Sequence, residues 1–180
     1  RMASIHFVTS FASLARLTAL GYRNVHLVGN PAVDYIRHAD WRRERPIEEP
    51  YVVVSYQPET IDGTTEWDKV LEAINGRRAI AVPPNRDRGA GGLHLQMILD
   101  QKLWPNLSVW ESQSHDAFLT LLSYADEFIG NSSAMFYEAP ELGVKCRVIG
   151  KRQRGRVVPW GGDGKASERI RDVLRLWPSS

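Results

Sequence analysis

The chain has 180 residues, with 23 Lys and Arg against 21 Asp and Glu and a formal charge of +2; so near-neutral a balance excludes a polyanion-coating tail and an acidic disordered segment. A 43% hydrophobic share with 24% charged residues is that of an ordinary globular chain, of a length that suits one domain or one lobe of a two-lobed enzyme. No apolar run approaches the roughly 18 residues that span a bilayer, and the first residues lead into a strand pattern rather than a leader, so no membrane partner and a cytoplasmic address are expected. The single Cys146 excludes an internal disulfide, and five scattered histidines speak against a metal site.

In chain order, Ile5 to Thr9 reads as a strand and Phe11 to Leu20 as a helix that Gly21 stops. Val25 to Val28 is a second strand, and Pro31 opens a helix through Tyr35 and Ile36. Residues 37–50 are dense in charge and carry Pro46 and Pro50, a composition suited to a solvated connection and a boundary. The pattern then restarts with strand Tyr51 to Ser55, a loop through Thr65, helix Glu66 to Asn75 and strand Ala79 to Val82. A Gly-rich loop, a helix from about Leu93 to Lys102 and strand Leu107 to Trp110 follow. Ser114 caps a helix with Phe118, Leu119, Leu121 and Leu122 inside. Strand Glu127 to Gly130, a helix to Leu142 and strand Cys146 to Ile149 complete the run, and Ala166 to Trp177 forms an amphipathic tail helix. Strands alternating with helices predict an α/β fold, a Rossmann-like parallel sheet with helices on both faces. The expected organisation is 1–40 as the closing portion of a first lobe, 41–164 as the sheet lobe and 165–180 as a C-terminal helix.

Open parallel sheets bind ligands beyond the carboxyl ends of their strands, so the loops there are the ones to inspect. Gly130-Asn131-Ser132-Ser133 joins a strand to a helix, where unpaired N–H groups and the positive helix end suit a phosphate or diphosphate. The same serine hydroxyls also serve as helix caps. Glu138, one turn further on, is able to accept hydrogen bonds from vicinal hydroxyls such as those of a ribose, and a lone glutamate there is equally a solvated helix residue. From Lys145 to Arg156 the chain carries Lys145, Arg147, Lys151, Arg152, Arg154 and Arg156 without an acidic residue. Such a run would attract a dianion, although a chain with 18 Arg against 5 Lys uses Arg widely. Nucleic-acid binding is not expected, because aromatic interleaving is absent and net charge is small.

Several of these segments together resemble a known family. Ile129-Gly130-Asn131-Ser132-Ser133, Glu138-Ala139-Pro140 with Leu142-Gly143, and Ile149-Gly150 with Arg152-Gln153 and Gly155-Arg156 look like the second lobe of the UDP-N-acetylglucosamine 2-epimerases. Within that family the chain is similar to the hydrolysing branch, with its GNSS loop and IGxRQxGR segment. Val28-Gly29-Asn30-Pro31 with Asp34 is similar to that family's GNPxxD motif, and Pro84-Asn85 with Asp87 and Gly89 to its PNxDxG loop. The resemblance implies one lobe of a GT-B architecture holding a UDP-sugar, with no cofactor. It assigns Asn131, Ser132 and Ser133 to the diphosphate and Glu138 to the ribose. The loop from Gln113 to Phe118, including His115, goes to the uracil, Asn85 to the same cleft, and Arg152 and Arg156 close to the phosphates. The chemistry implied is elimination of UDP through a glycal and hydration at C2, giving N-acetylmannosamine.

Three departures qualify the transfer. At the family's HPxT or HRxEN histidine this chain reads Ser55-Tyr56-Gln57-Pro58-Glu59-Thr60, which puts Tyr56 at the histidine position and leaves the catalytic residues unknown. Ala134-Met135 follows GNSS where the family has a small residue and then glycine, an expected hindrance to a sugar. Finally, residues 1–40 correspond only to the closing portion of a first lobe, so a homo-oligomer or a partner chain supplying the opposite wall is expected. Two alternatives stand beside the epimerase reading: a GT-B glycosyltransferase donor-binding lobe and a non-catalytic nucleotide-sugar-binding or assembly module. Phe7, Phe11, Trp177 and the tail helix are expected to leave apolar surface exposed.

Overall fold

The computed structural model describes residues 3–59, 64–85, 88–154 and 162–177. They divide into two compact units, Arg1–Asp40 with Val157–Ser180, and Trp41–Arg156.

In the first unit β1 (His6–Val8) pairs in parallel with β2 (Val25–Leu27), joined by α1 (Phe11–Ala19). Ser10 caps α1 by accepting from the Ser13 N–H at 3.1 Å, and Gly21, at φ 75°, turns the chain out of it. The unit also contains α2 (Pro31–His38) and α7 (Ala166–Arg175). The Gly-Asn-Pro-x-x-Asp segment serves both helices. Asn30 Oδ1 accepts from the Ala32 N–H at 3.1 Å and Pro31 fills the first turn of α2, where no donor is needed. Asp34 reaches across to α7 and accepts from the Ala166 and Ser167 N–H groups at 3.1 and 2.6 Å. Lys165 at the N-cap of α7 makes no side-chain cap of its own, so Asp34 takes that task from another helix. Beside it, Arg169 forms a forked pair with Asp163 at 2.6 and 2.8 Å. The tail helix is therefore tied to α2 by its first turn, and the unit joins the two ends of the chain. Phe11 is 69% exposed and α1 buries none of its residues, whereas Phe7 and Trp177 are half-buried.

The second unit is built on five parallel strands: β3 (Val52–Ser55), β4 (Ala79–Val82), β5 (Leu107–Val109), β6 (Glu127–Gly130) and β7 (Cys146–Val148). Their spatial order is β5-β4-β3-β6-β7, with Ser55 in register with Val82 on one side and Gly130 on the other. Between them run α3 (Trp67–Ile74), α4 (Ala90–Leu103), α5 (His115–Ser123) and α6 (Ala134–Glu141). The central β3 is apolar throughout because both of its faces are covered. Val52, Val54 and Tyr56 pack with Ile129 against Trp67, Val70, Leu93 and Met97 of α3 and α4. Tyr51, Val53, Ile80 and Phe128 pack against Leu121 and Leu122 of α5 and Met135 and Ala139 of α6. The polar atoms caught in these layers are paired. Tyr51 Oη donates to the Leu121 carbonyl at 2.7 Å, and Trp67 Nε1 donates to Asp100 at 2.8 Å. Burial pushes the Tyr51 phenol up to about 12. Trp41 is buried at the start of the unit, where its carbonyl accepts from Thr120 Oγ1 at 3.1 Å.

Two elements depart from the sequence reading. Helix α4 begins at Ala90 and takes in Gly91 and Gly92, which the composition assigned to a loop. Glycine's weak propensity is overridden there by the burial of Leu93 and Met97. Pro140 lies within α6, but in its last turn, one residue before the helix ends at Glu141. The Leu142, Gly143 and Val144 N–H groups fold back onto carbonyls of residues 138–140, so the helix closes directly after the proline and the donor it lacks is lost only in the last turn. Among the described residues no helix is long and apolar enough to cross a membrane.

Candidate functional site

The strand order reverses between β3 and β6, whose carboxyl ends lie side by side at Ser55 and Gly130. Gly130 adopts φ 140°, and a Cβ there would collide with the Ser55 carbonyl, so only glycine permits the approach. Directly beyond it, Asn131 is fully buried and binds the main chain of Gln57 at both groups. Its Oδ1 accepts from the Gln57 N–H at 2.7 Å and its Nδ2 donates to the Gln57 carbonyl at 2.8 Å. The Asn131 carbonyl in turn accepts from Gln153 Nε2 at 2.6 Å. This clamp fixes the tips of β3 and β6 and the segment after β7 as one unit.

A cavity of about 330 Å³ opens above the clamp. Ser132, Ser133 and Glu138 line it from the β6–α6 turn and α6, Gln113, His115 and Phe118 from α5 and the loop before it, and Asn85 from the loop after β4. The sequence singled out all seven, and the fold brings them together. Ser132 Oγ accepts from the Ala134 N–H at 3.3 Å, whereas Ser133 makes no side-chain cap, so its hydroxyl is not committed to the helix. Glu138 lies half-buried, its Oε1 3.8 Å from His115 Nε2, and its Oε2 is buried without a hydrogen bond in the described structure. A buried, unpaired carboxylate oxygen beside two hydroxyls and a helix N-terminus is arranged to accept hydrogen bonds from a ligand. Next to this cavity, sharing Pro83, Asn85 and Ser112 with it, lies a larger space of about 580 Å³ walled by Trp110, Ile98 and His94.

Other expected residues stand elsewhere. Tyr56, placed by the sequence reading at the histidine position, faces away from the cavity into the core under α3, with no exposed surface. Its Oη accepts from the Glu66 N–H at 2.7 Å. Burial drives its phenol above the usual tyrosine range, against the lowering effect of that bond. The side chain that enters the cavity is its neighbour Gln57, which directly precedes Pro58 as the histidine precedes the proline in HPxT. Ser55 and Gln57, both lining residues, went unnoticed in the sequence. Met135, expected to crowd a sugar, is buried against the sheet, and only Ala134 of that pair reaches the cavity.

The basic run is divided by β7. Arg147 pairs with Glu127 at 2.9 Å, joined there by Arg77 at 2.8 Å. Burial pushes the Glu127 carboxyl up, and the two guanidinium groups outweigh it to leave the group below its ordinary value. Lys145 precedes the same strand, so neither residue is at the cavity end of the sheet. Beyond β7, Glu59 Oε1 accepts from the Lys151 and Arg152 N–H groups at 2.9 and 3.2 Å, and Arg152 Nη1 donates to the Pro58 carbonyl at 2.8 Å. Arg152 is thus directed to the chain after β3 and does not line the cavity. Arg156, Gly155 and Asp87 lie outside the described residues.

Residues 1–161 match the family profile described as UDP-N-acetylglucosamine 2-epimerase. The chain is 26% identical over 171 residues to the UDP-N-acetylglucosamine 2-epimerase of Neisseria meningitidis serogroup B, a match covering 87% of this chain and 45% of that protein. It is 24% identical over 176 residues to the hydrolysing GDP/UDP-N,N'-diacetylbacillosamine 2-epimerase of Campylobacter jejuni, again covering 87% and 45%. Among solved structures it is similar to the UDP-GlcNAc 2-epimerase of Methanocaldococcus jannaschii in complex with UDP-GlcNAc and UDP. That likeness has a TM-score of 0.72 at 18% identity and covers 97% of this chain and 62% of the other, and it is one of fold. The chain spans under half the length of these two curated relatives.

Proposed function

The chain belongs to the UDP-N-acetylglucosamine 2-epimerase family, and from that premise we propose that its second unit is the UDP-sugar-binding lobe of an epimerase-like enzyme. The reading rests on one observation: seven side chains from three separate stretches of sequence line one cavity at the switch point of a parallel sheet. Ser132, Ser133 and the N-terminal end of α6 take the diphosphate, since the serine hydroxyls and the positive helix end favour an anion. Glu138 accepts from the ribose hydroxyls, using the oxygen that is buried and unpaired in the structure. Phe118 and the loop at Gln113 and His115 receive the uracil.

In the reaction this implies, UDP leaves from C1 as a proton leaves C2, and water then adds across the glycal to give N-acetylmannosamine. Donors aimed at the diphosphate stabilise the charge that develops on the leaving group. The proton transfers need a positioned acid and base, and among the described residues lining this cavity the ionisable side chains are His115 and Glu138. Calorimetry with UDP and with uridine tests the binding step. The intact chain is expected to bind UDP more tightly than uridine, and the double variant Ser132→Ala/Ser133→Ala to lose that preference; no UDP binding to the unaltered chain defeats the proposal. Incubation with UDP-N-acetylglucosamine, followed for UDP and N-acetylmannosamine, tests the chemistry.

One observation favours a second reading. Gln57, which cannot exchange a proton at neutral pH, occupies the cavity directly before Pro58. A GT-B transferase lobe or a non-catalytic binding module needs to hold the nucleotide sugar without abstracting the C2 proton. Sugar transfer to an added acceptor, with no N-acetylmannosamine formed, would favour the transferase. UDP-sugar binding without turnover would favour the module.

A further inference from the structure

Helix α4 is apolar on two opposite sides, and the chain itself covers one of them. Ala90, Leu93, Met97 and Asp100 are buried on the side turned to the sheet and α3. On the far side Leu95, Leu99 and Leu103 recur every fourth residue, 58%, 46% and 75% exposed, with Ile98 and Trp104 also in solvent beside them. Among the described residues no other element leaves as many large apolar side chains in water. A helix apolar all round is ordinarily a covered one. The first turn carries a second sign of a neighbour. Gly91 and Gly92 lie on this outer side with ordinary helical backbone, and a Cβ at either would meet nothing within 4 Å. Glycine weakens a helix, and neither conformation nor internal packing calls for it here, so the bare backbone is free for close approach from outside.

We propose that this face of α4 is a homodimer interface, on which the same helix of a second copy of the chain lies antiparallel. Overlap along the whole helix sets Leu103 of each copy on Gly91 of the other and Leu95 of each against Leu99 of the other, so the face is complementary to itself, as a two-fold contact requires. Lys102 is the charged residue of this side, and its long stem lets the ammonium stay in water. The neighbouring sheet edge directs association to the helix. The N–H groups on the free edge of β5 are already used, that of Leu107 on the Trp104 carbonyl and that of Val109 on Gln101 Oε1, so a second strand finds no open donors there. The area also fits. The five apolar side chains expose on the order of 500 Å², the upper end of what a monomer leaves bare. At the roughly 60% apolar share of an interface, that patch corresponds to about 800 Å² per copy, the size of a stable contact. The inference stands independently of what the cavity binds.

Sedimentation of the unaltered 180-residue chain is expected to show a monomer–dimer equilibrium with a Kd of about 1 μM or tighter. Leu99→Lys sets a charge inside the contact without touching the buried side of the helix, and should raise that Kd at least about a hundredfold. Gly91→Gln is the sharper variant. It fills open space in the monomer and improves the helix, so it should fold at least as well, judged by urea unfolding at a dilution where only monomer is present. It should nevertheless weaken the dimer about tenfold or more, by closing the seat of Leu103. Leu20→Lys, at a comparably bare leucine outside α4, should leave the dimer as it was. A chain that stays monomeric up to about 100 μM overturns the inference. A dimer that neither α4 variant weakens does so too, because the contact then lies elsewhere, and equal dissociation by Leu20→Lys has the same force. Should Leu99→Lys fail to fold, Gly91→Gln decides alone.

Discussion

Gly130 and Asn131 do different work at adjacent positions, and their variants should separate cleanly. An alanine at 130 must keep φ near 140° and drive its Cβ against the Ser55 carbonyl, so Gly130→Ala is expected to lower stability by about 3 kcal/mol. Asn131→Ala leaves the buried N–H and carbonyl of Gln57 without partners and should cost about 2–4 kcal/mol. Ser133→Ala removes a hydroxyl that caps nothing and should change stability by no more than about 0.5 kcal/mol while weakening UDP binding. Urea unfolding of the three variants checks the ranking, and a destabilised Ser133→Ala would mean the hydroxyl is structural after all. This scale is also where the sequence was hardest to read. The serines were legible because they sit in a strand-to-helix turn, Glu138 because it follows one turn into that helix, and the 113–118 loop only through the family resemblance. Tyr56 does not join them, because the pleat of β3 carries its side chain into the core. Val52, Val54 and Tyr56 share one face of β3, and the alternation turns Ser55 and Gln57 toward the opposite one.

Among the elements, α7 is the one whose start is fixed from a distance. Burial raises the Asp34 carboxyl, but the N–H groups of Ser167 and Ala166 outweigh it, with His38 adding to them, and hold the group below its ordinary value. A carboxylate depressed in the folded state contributes stability that is fully present above its unfolded value near 4 and is lost as pH falls through the lower folded one. Asp34→Ala should therefore destabilise the first unit by about 1–2 kcal/mol at pH 7, and the gap between variant and parent should close on acidification below about pH 4. Hydrogen exchange of the Ala166 and Ser167 amides reads this directly. Protection that survives Asp34→Ala would show that the helix start does not depend on the carboxylate. The sequence announced α2 through Asn30 and Pro31, and it could not announce this second task, because the residues capped lie more than a hundred positions away. The glycine-rich start of α4 was obscured for a related reason: local propensity spoke for a loop, and burial of Leu93 and Met97 decided otherwise.

For the molecule as a whole, the five strands from β3 to β7 were legible in order and nearly in extent, because short strand-like runs alternate with helical stretches throughout the unit. What spacing alone leaves open is which strand ends adjoin, and that adjacency makes the site: β3 and β6 are separated by more than seventy residues, yet they meet at Ser55 and Gly130. The same topology makes the second unit self-sufficient. Its sheet is covered on both faces by its own helices, its first residue is buried and hydrogen-bonded to Thr120, and every described residue lining the cavity belongs to it. A fragment of residues 41–156 is therefore expected to unfold cooperatively and to bind UDP as tightly as the full chain. Turnover is a different matter, since an acid and a base must approach the sugar from defined directions, and the described residues of this cavity offer His115 and Glu138 alone. Calorimetric titration of the fragment beside the full chain decides the binding half of that argument. Equal affinities place nucleotide recognition wholly within the sheet unit, whereas a fragment that folds but binds UDP weakly would assign part of the recognition to residues outside it.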